Sequence, residues 1–412
     1  MTQPTTGTAT SLYLARQPIF DLKGRVFGYE LLYRQDRDDP TCQADGDAAT
    51  ASVLTGALLD LGLSTLTGGR QAFLNVTRPL LLGQIGTMIP ADEVVIEVLE
   101  DIAIDDEVID ACKVLHGKGY RLALDDFVPG SGAEALFPYV SFVKVDVLAT
   151  SESVATALPR QLTPLGIGSI AEKVERRDVY ERMRSAGYSL FQGFYFCGPS
   201  VQTAVAVPAQ QLAYLRLLAA LNQPDLSTSE VETLVKQDVS LSLRVLRSVN
   251  SAAYPIRAEV RSIGQALFLL GLEPIRRWAS VWCLAGLSAD ATPELATLAL
   301  LRARACELVG EGLDDVESSE LFLVGLFSLL DTMLSAPMAT ALEGLPLSDS
   351  AIHALLGQPN RLRAVLDAVI CYERSEWDDA TAIASQAGIH VPALSKAYTN
   401  GLRWVQDVTR AA

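Results

Sequence analysis

Eight short runs rich in β-branched and aromatic residues fill the first half of the chain, and amphipathic stretches separate most of them. Strands that alternate with helices indicate a barrel of largely parallel strands. The predicted strands are residues 13–20, 26–33, 72–76, 94–98, 121–125, 142–146, 168–172 and 189–192, and the predicted helices include residues 48–61, 106–116 and 176–186. The pattern predicts α/β structure, a (β/α)₈ TIM-like barrel over residues 12–200, after a polar N-terminal tail at 1–11.

The connection between the first two predicted strands is unusually short, because only the residues from Asp21 to Arg25 separate them. A parallel crossover needs about a dozen residues, whereas an antiparallel pair needs only a tight turn. The barrel is therefore expected to open with a hairpin, which modifies the regular alternation of strand and helix.

The second half of the chain has a helical rather than a strand-like periodicity. Leucine and alanine recur at helical spacing, as in the stretch from Leu212 to Leu218, and many prolines divide the region into short helices. The sequence predicts an all-α domain over residues 207–400. A linker at 201–206 would join it to the barrel, and a C-terminal tail would follow at 401–412.

The charge balance excludes one large class of partners. The 412 residues include 33 Lys and Arg against 49 Asp and Glu, a formal net charge of −16. Binding to bulk nucleic acid depends on a basic surface that releases counterions, so no such partner is expected. An acidic protein can still bind a small anion through a local cation such as a metal ion.

Cysteine usage and hydropathy indicate a cytoplasmic protein without membrane contact. The six cysteines are dispersed and form no Cys-x-x-Cys pair, which is typical of reduced thiols. The residues from Met1 to Thr6 are polar and uncharged, unlike a signal peptide. The longest apolar stretch, residues 321–330, is too short to span a bilayer.

Polar side chains lie at the ends of seven of the predicted strands. They are Glu30, Asn75, Glu97, Asp125 with Asp126, Lys144 with Asp146, Glu172, and Gln192. In (β/α)₈ barrels the strand ends converge on one site, where carboxylates at this density repel one another unless divalent cations neutralise them. Oxygen ligands suit Mg²⁺ or Mn²⁺, and two such ions commonly cleave phosphodiesters. Taken singly, each carboxylate could instead cap a helix or lie on the surface.

The motifs that carry these residues resemble the EAL domain, the family of cyclic di-GMP phosphodiesterases. The matching segments are residues 17–20, 28–34, 73–77, 95–100, 122–127, 143–146, 170–175 and 191–196, in that order. The resemblance covers nearly all of the first half of the chain. It implies binding of cyclic di-GMP and its hydrolysis to the linear dinucleotide by a two-metal mechanism.

The resemblance also implies roles for individual side chains. Its metal ligands are Glu30, Asn75, Glu97 and Asp125 for one Mg²⁺ or Mn²⁺ ion, and Asp126 for a second. Lys144 is expected to orient the attacking water and Glu172 to act as a metal-linked acid or base. Gln192 would position water or substrate.

Four further residues receive peripheral roles from the same resemblance. Glu175 would tether the loop that follows the fifth strand, and Arg34 would face a phosphate of the substrate. Gln17 and Asp146 belong to the expected substrate-binding set.

The loop after the paired aspartates departs from the family. The family has a glycine-rich loop there, whereas this chain has residues 127–133, in which Val128 and Pro129 stand near the start. Valine and proline cannot take the positive-φ conformations that are open to glycine. Hydrolysis, binding without hydrolysis, and a catalytically inactive adaptor therefore stay open. So does a homodimer, because this loop shapes the family's dimer contact.

The helical half resembles the HDOD domain over residues 234–254 and 263–271. HDOD domains are related to metal-dependent HD phosphohydrolases but lack their ligands, and none of the three histidines here is followed by aspartate. Arg244, Arg247 and Asn250 could form a pocket for a protein partner or a nucleotide, or they could cap helices and pair with acidic neighbours.

Together the two halves resemble bacterial signalling proteins that join an EAL domain to an HDOD domain. The expected function is cyclic di-GMP signalling, in which the barrel binds the dinucleotide and the helical domain acts on an unidentified protein partner. The alternative is an inactive adaptor that works through protein–protein contacts alone.

Overall fold

A computed structural model describes much of the chain. The described residues are 12–35, 62–83, 89–193, 215, 217–221, 226–236, 245–246, 260, 262–272, 293–345 and 347–411. The chain divides into two compact units, Met1–Tyr195 and Phe196–Ala412. The predicted N-terminal tail, the helix at 48–61 and the linker at 201–206 lie outside the described residues.

Eight strands close into a barrel in chain order, β1 to β8. They are β1 (Leu12–Asp21), β2 (Val26–Gln35), β3 (Gln71–Val76), β4 (Val94–Val98), β5 (Arg121–Leu124), β6 (Phe142–Asp146), β7 (Gly168–Glu172) and β8 (Leu190–Gln192). β1 pairs antiparallel with both β2 and β8, and every other neighbouring pair is parallel. The predicted barrel and its opening hairpin are confirmed.

The hairpin turn between β1 and β2 is held by one carboxylate. Asp21 Oδ1 accepts hydrogen bonds from the backbone N–H groups of Lys23 and Arg25, at 2.8 and 2.9 Å. Asp21 Oδ2 accepts a third from Arg25 Nε at 2.8 Å. Gly24 takes the positive φ of 70° that the tight turn requires. These local bonds reverse the chain without a crossover helix.

Short helices connect the parallel strands. In chain order they are α1 (Leu63–Thr67), α2 (Arg78–Leu82), α3 (Asp106–Gly117), α4 (Glu152–Leu162) and α5 (Arg177–Ala186). Two 3₁₀ turns, Ala133–Leu136 and Thr163–Leu165, complete the described connections. The N-cap Asp105 accepts a hydrogen bond from the Val108 N–H at 3.0 Å, which fixes the start of α3.

An apolar layer fills the barrel directly beneath the polar strand ends. It consists of Ile19, Phe73, Val95, Ala123, Ile170 and Leu190, with Phe27 and Phe142 packed against them. On β3, for example, Phe73 precedes Asn75 by two residues, and on β4 Val95 precedes Glu97 by two. Side chains two apart on a strand share a face, so the polar residues also point into the barrel. The core therefore forms the floor of the site.

The described part of the second unit is helical throughout, which confirms the predicted all-α class. Its helices are α6 (Thr228–Lys236), α7 (Ile263–Leu270), α8 (Pro293–Gly310), α9 (Ser318–Phe327), α10 (Leu330–Leu334), α11 (Met338–Ala341), α12 (Asp349–Leu355), α13 (Arg361–Glu373), α14 (Trp377–Gln386) and α15 (Val391–Ala411). Among these described helices, none is long and apolar enough to cross a bilayer.

Residues 401–412 were predicted to form a C-terminal tail, but most of them are helical. α15 continues through this stretch to Ala411. Leu402, Val405 and Val408 recur at three-residue intervals and are all buried, so this part of the helix has an apolar face that packs like the rest. Burial, rather than a terminal position, decides the conformation here.

Candidate active site

One lysine lies at the centre of the polar strand ends. Lys144, on β6, is only 1% exposed, and its ammonium is surrounded by carboxylates from four other elements of the barrel. The Lys144 Nζ atom lies 3.1 Å from Glu30, 2.9 Å from Glu97, 2.8 Å from Asp125 and 3.0 Å from Glu172. The structure thus brings five of the predicted site residues into direct contact.

Two amide side chains extend this cluster across the barrel. Asn75 Nδ2 donates a hydrogen bond to Glu30 Oε1 at 2.7 Å, and Gln192 Nε2 donates to Glu30 Oε2 at 2.7 Å. Gln192 Nε2 also donates to Gln17 Oε1 at 2.9 Å. Glu30 on β2 is therefore held by β3, β6 and β8 together, which fixes its carboxylate in one orientation.

Burial of several carboxylates around one ammonium shifts their pKa values. Burial raises the pKa of Glu172 to about 8, and it raises those of Glu97 and Asp125 as well, although the Lys144 charge opposes it in each case. Burial also works to raise the pKa of Glu30, but the Lys144 charge and the hydrogen bonds from Gln192 and Asn75 lower it overall.

The charge balance bears on the protonation of this cluster. Burial alone would lower the pKa of Lys144, but the four surrounding carboxylates raise it well above the usual value, so the ammonium stays charged. A single ammonium cannot balance four ionised carboxylates. The site is therefore partly protonated unless further positive charge is bound.

The donor set fits a hard divalent cation by its chemistry. Asn75 Oδ1 and Glu97 Oε2 are buried oxygens with no hydrogen-bond partner among the described residues. Unpartnered buried oxygens beside carboxylates are the ligands that Mg²⁺ and Mn²⁺ prefer. In this structure the carboxylates gather on the Lys144 ammonium, and no three described His, Cys, Asp or Glu residues are arranged around a common cation position.

The cluster forms one side of a cavity of about 340 Å³ at the barrel mouth. The cavity is lined by Gln17, Glu30, Leu32, Asp125, Asp126, Lys144, Glu172, Lys173, Glu175, Gln192 and Gly193. Asp126 follows Asp125 with a φ of 40° and is half-buried, without an ion pair to Lys144. A second cavity of about 370 Å³ shares Asp125 and Asp126 and extends along the loop after β5.

Two of the predicted substrate-binding residues lie apart from this cavity lining. Arg34 is near the end of β2, four residues beyond Glu30 and on the same face of the strand. Asp146 Oδ1 accepts hydrogen bonds from the Leu148 and Ala149 N–H groups, and its Oδ2 pairs with Lys173. Within the described chain, Asp146 thus organises the turn after β6.

The predicted tether by Glu175 is not formed among the described residues. Glu175 is exposed, and Glu134 holds the loop after β5 instead. Glu134 Oε1 accepts the Gly130 N–H at 2.5 Å and its Oε2 accepts the Gly132 N–H at 3.0 Å. Glu134 is four residues from Gly130 and two from Gly132, so its carboxylate reaches both N–H groups without crossing to β7.

The loop keeps two positive-φ positions despite its changed sequence. Gly130 and Gly132 have φ values of 83° and 91°, whereas the φ angles of Val128 and Pro129 are not positive. Val128 is 60% exposed, and Phe127 before it is buried. The loop thus turns at its two remaining glycines, which are separated by Ser131.

The HDOD positions singled out by the sequence, Arg244, Arg247 and Asn250, lie outside the described residues. Leu32, Lys173 and Gly193 line the cavity but were not among the predicted site residues, and Lys173 is the charged one of the three. The available signal was a positive charge directly after the predicted strand-end glutamate, Glu172.

Family models match both halves of the chain: an EAL domain at residues 76–199 and an HDOD domain at residues 207–338. The protein YuxH of Bacillus subtilis (strain 168), described as uncharacterised, is 32% identical over 408 residues, which cover 97% of this chain and 99% of YuxH. The cyclic di-GMP phosphodiesterase CdgJ of Vibrio cholerae serotype O1 is 31% identical over 412 residues, covering 99% of this chain and 95% of CdgJ. The chain belongs to the family of proteins that join an EAL domain to an HDOD domain.

Solved structures of EAL proteins resemble about half of this chain. The BlrP1 complex of Klebsiella pneumoniae with calcium and cyclic di-GMP is 25% identical with a TM-score of 0.39, and the match covers 48% of this chain and 58% of BlrP1. An EAL domain protein from Listeria monocytogenes is 19% identical with a TM-score of 0.37, covering 45% of this chain and 87% of that protein. The chain thus spans less than two thirds of BlrP1.

Proposed function

We propose that the barrel binds cyclic di-GMP in the cavity at its mouth and hydrolyses it to the linear dinucleotide. The observation that carries this proposal is the convergence of Glu30, Glu97, Asp125 and Glu172 on Lys144 at one end of the barrel. The name of the full-length relative CdgJ, a cyclic di-GMP phosphodiesterase, supports the choice of substrate.

A divalent cation would complete this site. Glu30, Asn75, Glu97 and Asp125 would hold Mg²⁺ or Mn²⁺, and Asp126 would serve a second ion. When bound, such an ion lowers the pKa of water and neutralises phosphate oxygens. The unpartnered oxygens of Asn75 and Glu97 support this assignment.

The remaining side chains have roles that follow from their contacts. Glu172, with a pKa of about 8, can hold a proton near neutral pH and give or take it at the cavity surface. Lys144 fixes four carboxylates at once and would lie next to the attacking water. Gln192 bridges Glu30 and Gln17 and so aligns the side of the cavity formed by β1, β2 and β8.

The second candidate is a receptor or adaptor that does not turn over the dinucleotide. It is favoured by the loop after β5. There the Glu134 carboxylate accepts hydrogen bonds from two backbone N–H groups of the same loop, and Val128 is exposed. In this case the barrel would still carry the signal, and the helical domain would pass it to a protein partner.

A turnover assay tests the enzyme. Purified protein with Mn²⁺ is expected to convert cyclic di-GMP to the linear dinucleotide, and Glu30→Ala is expected to abolish the conversion because Glu30 joins four strands of the site. Glu93→Gln is the matched control, since Glu93 is exposed just before β4, at the opposite end of the barrel. Unchanged substrate at high protein concentration would exclude the enzyme.

Calorimetry then separates a receptor from an adaptor. Heat of cyclic di-GMP binding that is lost in Arg34→Ala would support a receptor that contacts phosphate through β2. No heat with the wild-type chain would support an adaptor that ignores the dinucleotide.

A further inference from the structure

Two of the described residues that line the candidate cavity carry a positive charge, Lys144 and Lys173. They differ in how far their charge is already satisfied. Lys144 is buried, and its ammonium contacts four carboxylates. The side chain of Lys173 is 55% exposed, and its ammonium donates one hydrogen bond, to Asp146 Oδ2 at 2.5 Å. An ammonium has three donors, so Lys173 retains donors that a ligand in the cavity could use.

The backbone of Lys173 is held in an unfavourable conformation. Its φ of 54° lies in the left-handed region, which residues other than glycine adopt only at a cost in energy. The chain is fixed on both sides: Glu172 is paired within the barrel, and the Val174 N–H donates to the Gln192 carbonyl at 3.0 Å. The strained residue therefore presents its side chain at the cavity rim in a defined position.

The ammonium of Lys173 is also oriented by its acidic neighbour. Asp146 is itself fixed by the N–H groups of Leu148 and Ala149 at 2.8 and 2.9 Å. The hydrogen bond to Asp146 and the charges of Asp126 and Glu172 raise the pKa of Lys173. A charged, half-exposed and oriented donor thus stands beside the acidic cluster.

We propose that Lys173 is a substrate-binding residue whose ammonium donates to a non-bridging phosphate oxygen of the dinucleotide. This inference rests on the proposed function of the cavity. A phosphodiester that approaches a ring of carboxylates needs positive charge on its outer side, and Lys173 supplies it where Lys144, saturated by its own partners, does not. The alternative is that the Lys173–Asp146 pair only clamps the ends of β6 and β7 together.

Three variants distinguish these roles. Lys173→Asn removes the charge but tolerates the left-handed backbone, because asparagine adopts this region more readily than most residues. Lys173→Arg keeps the charge. Lys118→Gln is the control, since Lys118 is an exposed lysine at the end of α3. Each protein is titrated with cyclic di-GMP by calorimetry in the presence of Ca²⁺, chromatography verifies that the ligand is intact, and thermal unfolding is recorded in parallel.

If Lys173 binds phosphate, Lys173→Asn weakens binding about 10- to 100-fold, as expected for the loss of a charge-assisted hydrogen bond. Lys173→Arg and Lys118→Gln bind like the wild type, and all four proteins unfold at the same temperature. The affinity of the wild type also falls more steeply with added salt than that of Lys173→Asn, because a charge contact is screened.

Two results would overturn the inference while leaving the proposed function intact. One is binding by Lys173→Asn at wild-type affinity. The other is a loss of affinity that comes with a lower unfolding temperature in the Asn variant and an unchanged salt dependence, which would identify a structural clamp. Absence of binding by the wild type would instead overturn the proposed function, and this inference with it.

Discussion

At the scale of single residues, the candidate site is governed by a surplus of buried negative charge. Four carboxylates share the Lys144 ammonium, and each of them is at most 14% exposed. A buried ion pair contributes little net stability, whereas an unpartnered buried charge is costly. The excess carboxylates therefore retain protons, which avoids the free-energy cost of burying an unpartnered charge. This proton retention is measurable.

The raised pKa of Glu172 predicts a pH dependence of stability in metal-free buffer. The pKa is about 8 in the folded chain against an ordinary value of 4.5, so between these values the folded chain holds a proton that the unfolded chain has released. The free energy of unfolding should then fall as pH rises through this range, by up to about 1.4 kcal/mol per pH unit.

Urea unfolding at a series of pH values in the presence of a chelator checks this expectation. Glu172→Gln should flatten the slope, because the amide has no proton to lose, whereas the exposed control Glu93→Gln should keep it. A slope that persists unchanged in Glu172→Gln would assign the pH dependence to other groups.

At the scale of elements, the strands were predictable because a run rich in β-branched and aromatic residues is a local signal. The bounds predicted for β4, β6 and β7 are those observed, and each of these strands shows the two-residue spacing between an apolar floor residue and a polar residue above it. The polar residue near the end of each strand led to the prediction that these side chains converge on one site. Much of the candidate site could therefore be predicted from the sequence.

Contacts between elements were not predictable in the same way. The interaction of Lys173 with Asp146 joins residues 27 positions apart, and the capture of the β5 loop by Glu134 depends on a backbone turn at two glycines. Neither leaves a periodic pattern. The predicted end of the helical domain at residue 400 falls inside α15 for a related reason, since the burial of Leu402 depends on packing against other helices.

A close backbone approach between β8 and the segment after β7 yields a second prediction. A Cβ atom on Gly193 would lie 2.4 Å from the nitrogen and the oxygen of Val174, and the φ of Gly193 is 143°. Gly193→Ala should force these segments apart and displace the neighbouring Gln192 from Glu30. We expect a lower unfolding temperature and weakened cyclic di-GMP binding.

Gly117→Ala is the matched control for this variant. Gly117 is the last residue of α3 and has open space around its Cβ position, so the substitution should leave stability unchanged or raise it. Wild-type stability and binding in Gly193→Ala would show that the two segments can separate without disturbing the site.

At the scale of the whole molecule, net charge sets which anions the chain can accept. A formal charge of −16 repels polyanions at a distance, while the cationic groups of the cavity act only over short range. We therefore predict no binding of duplex DNA at about 0.15 M salt and up to about 100 µM protein, a concentration at which non-specific DNA-binding proteins occupy about half or more of their sites. Gel retardation checks this, with a basic DNA-binding protein as the positive control. A band shift that weakens steeply as salt is added would show a basic surface that the charge total conceals, and it would return nucleic acid to the set of partners.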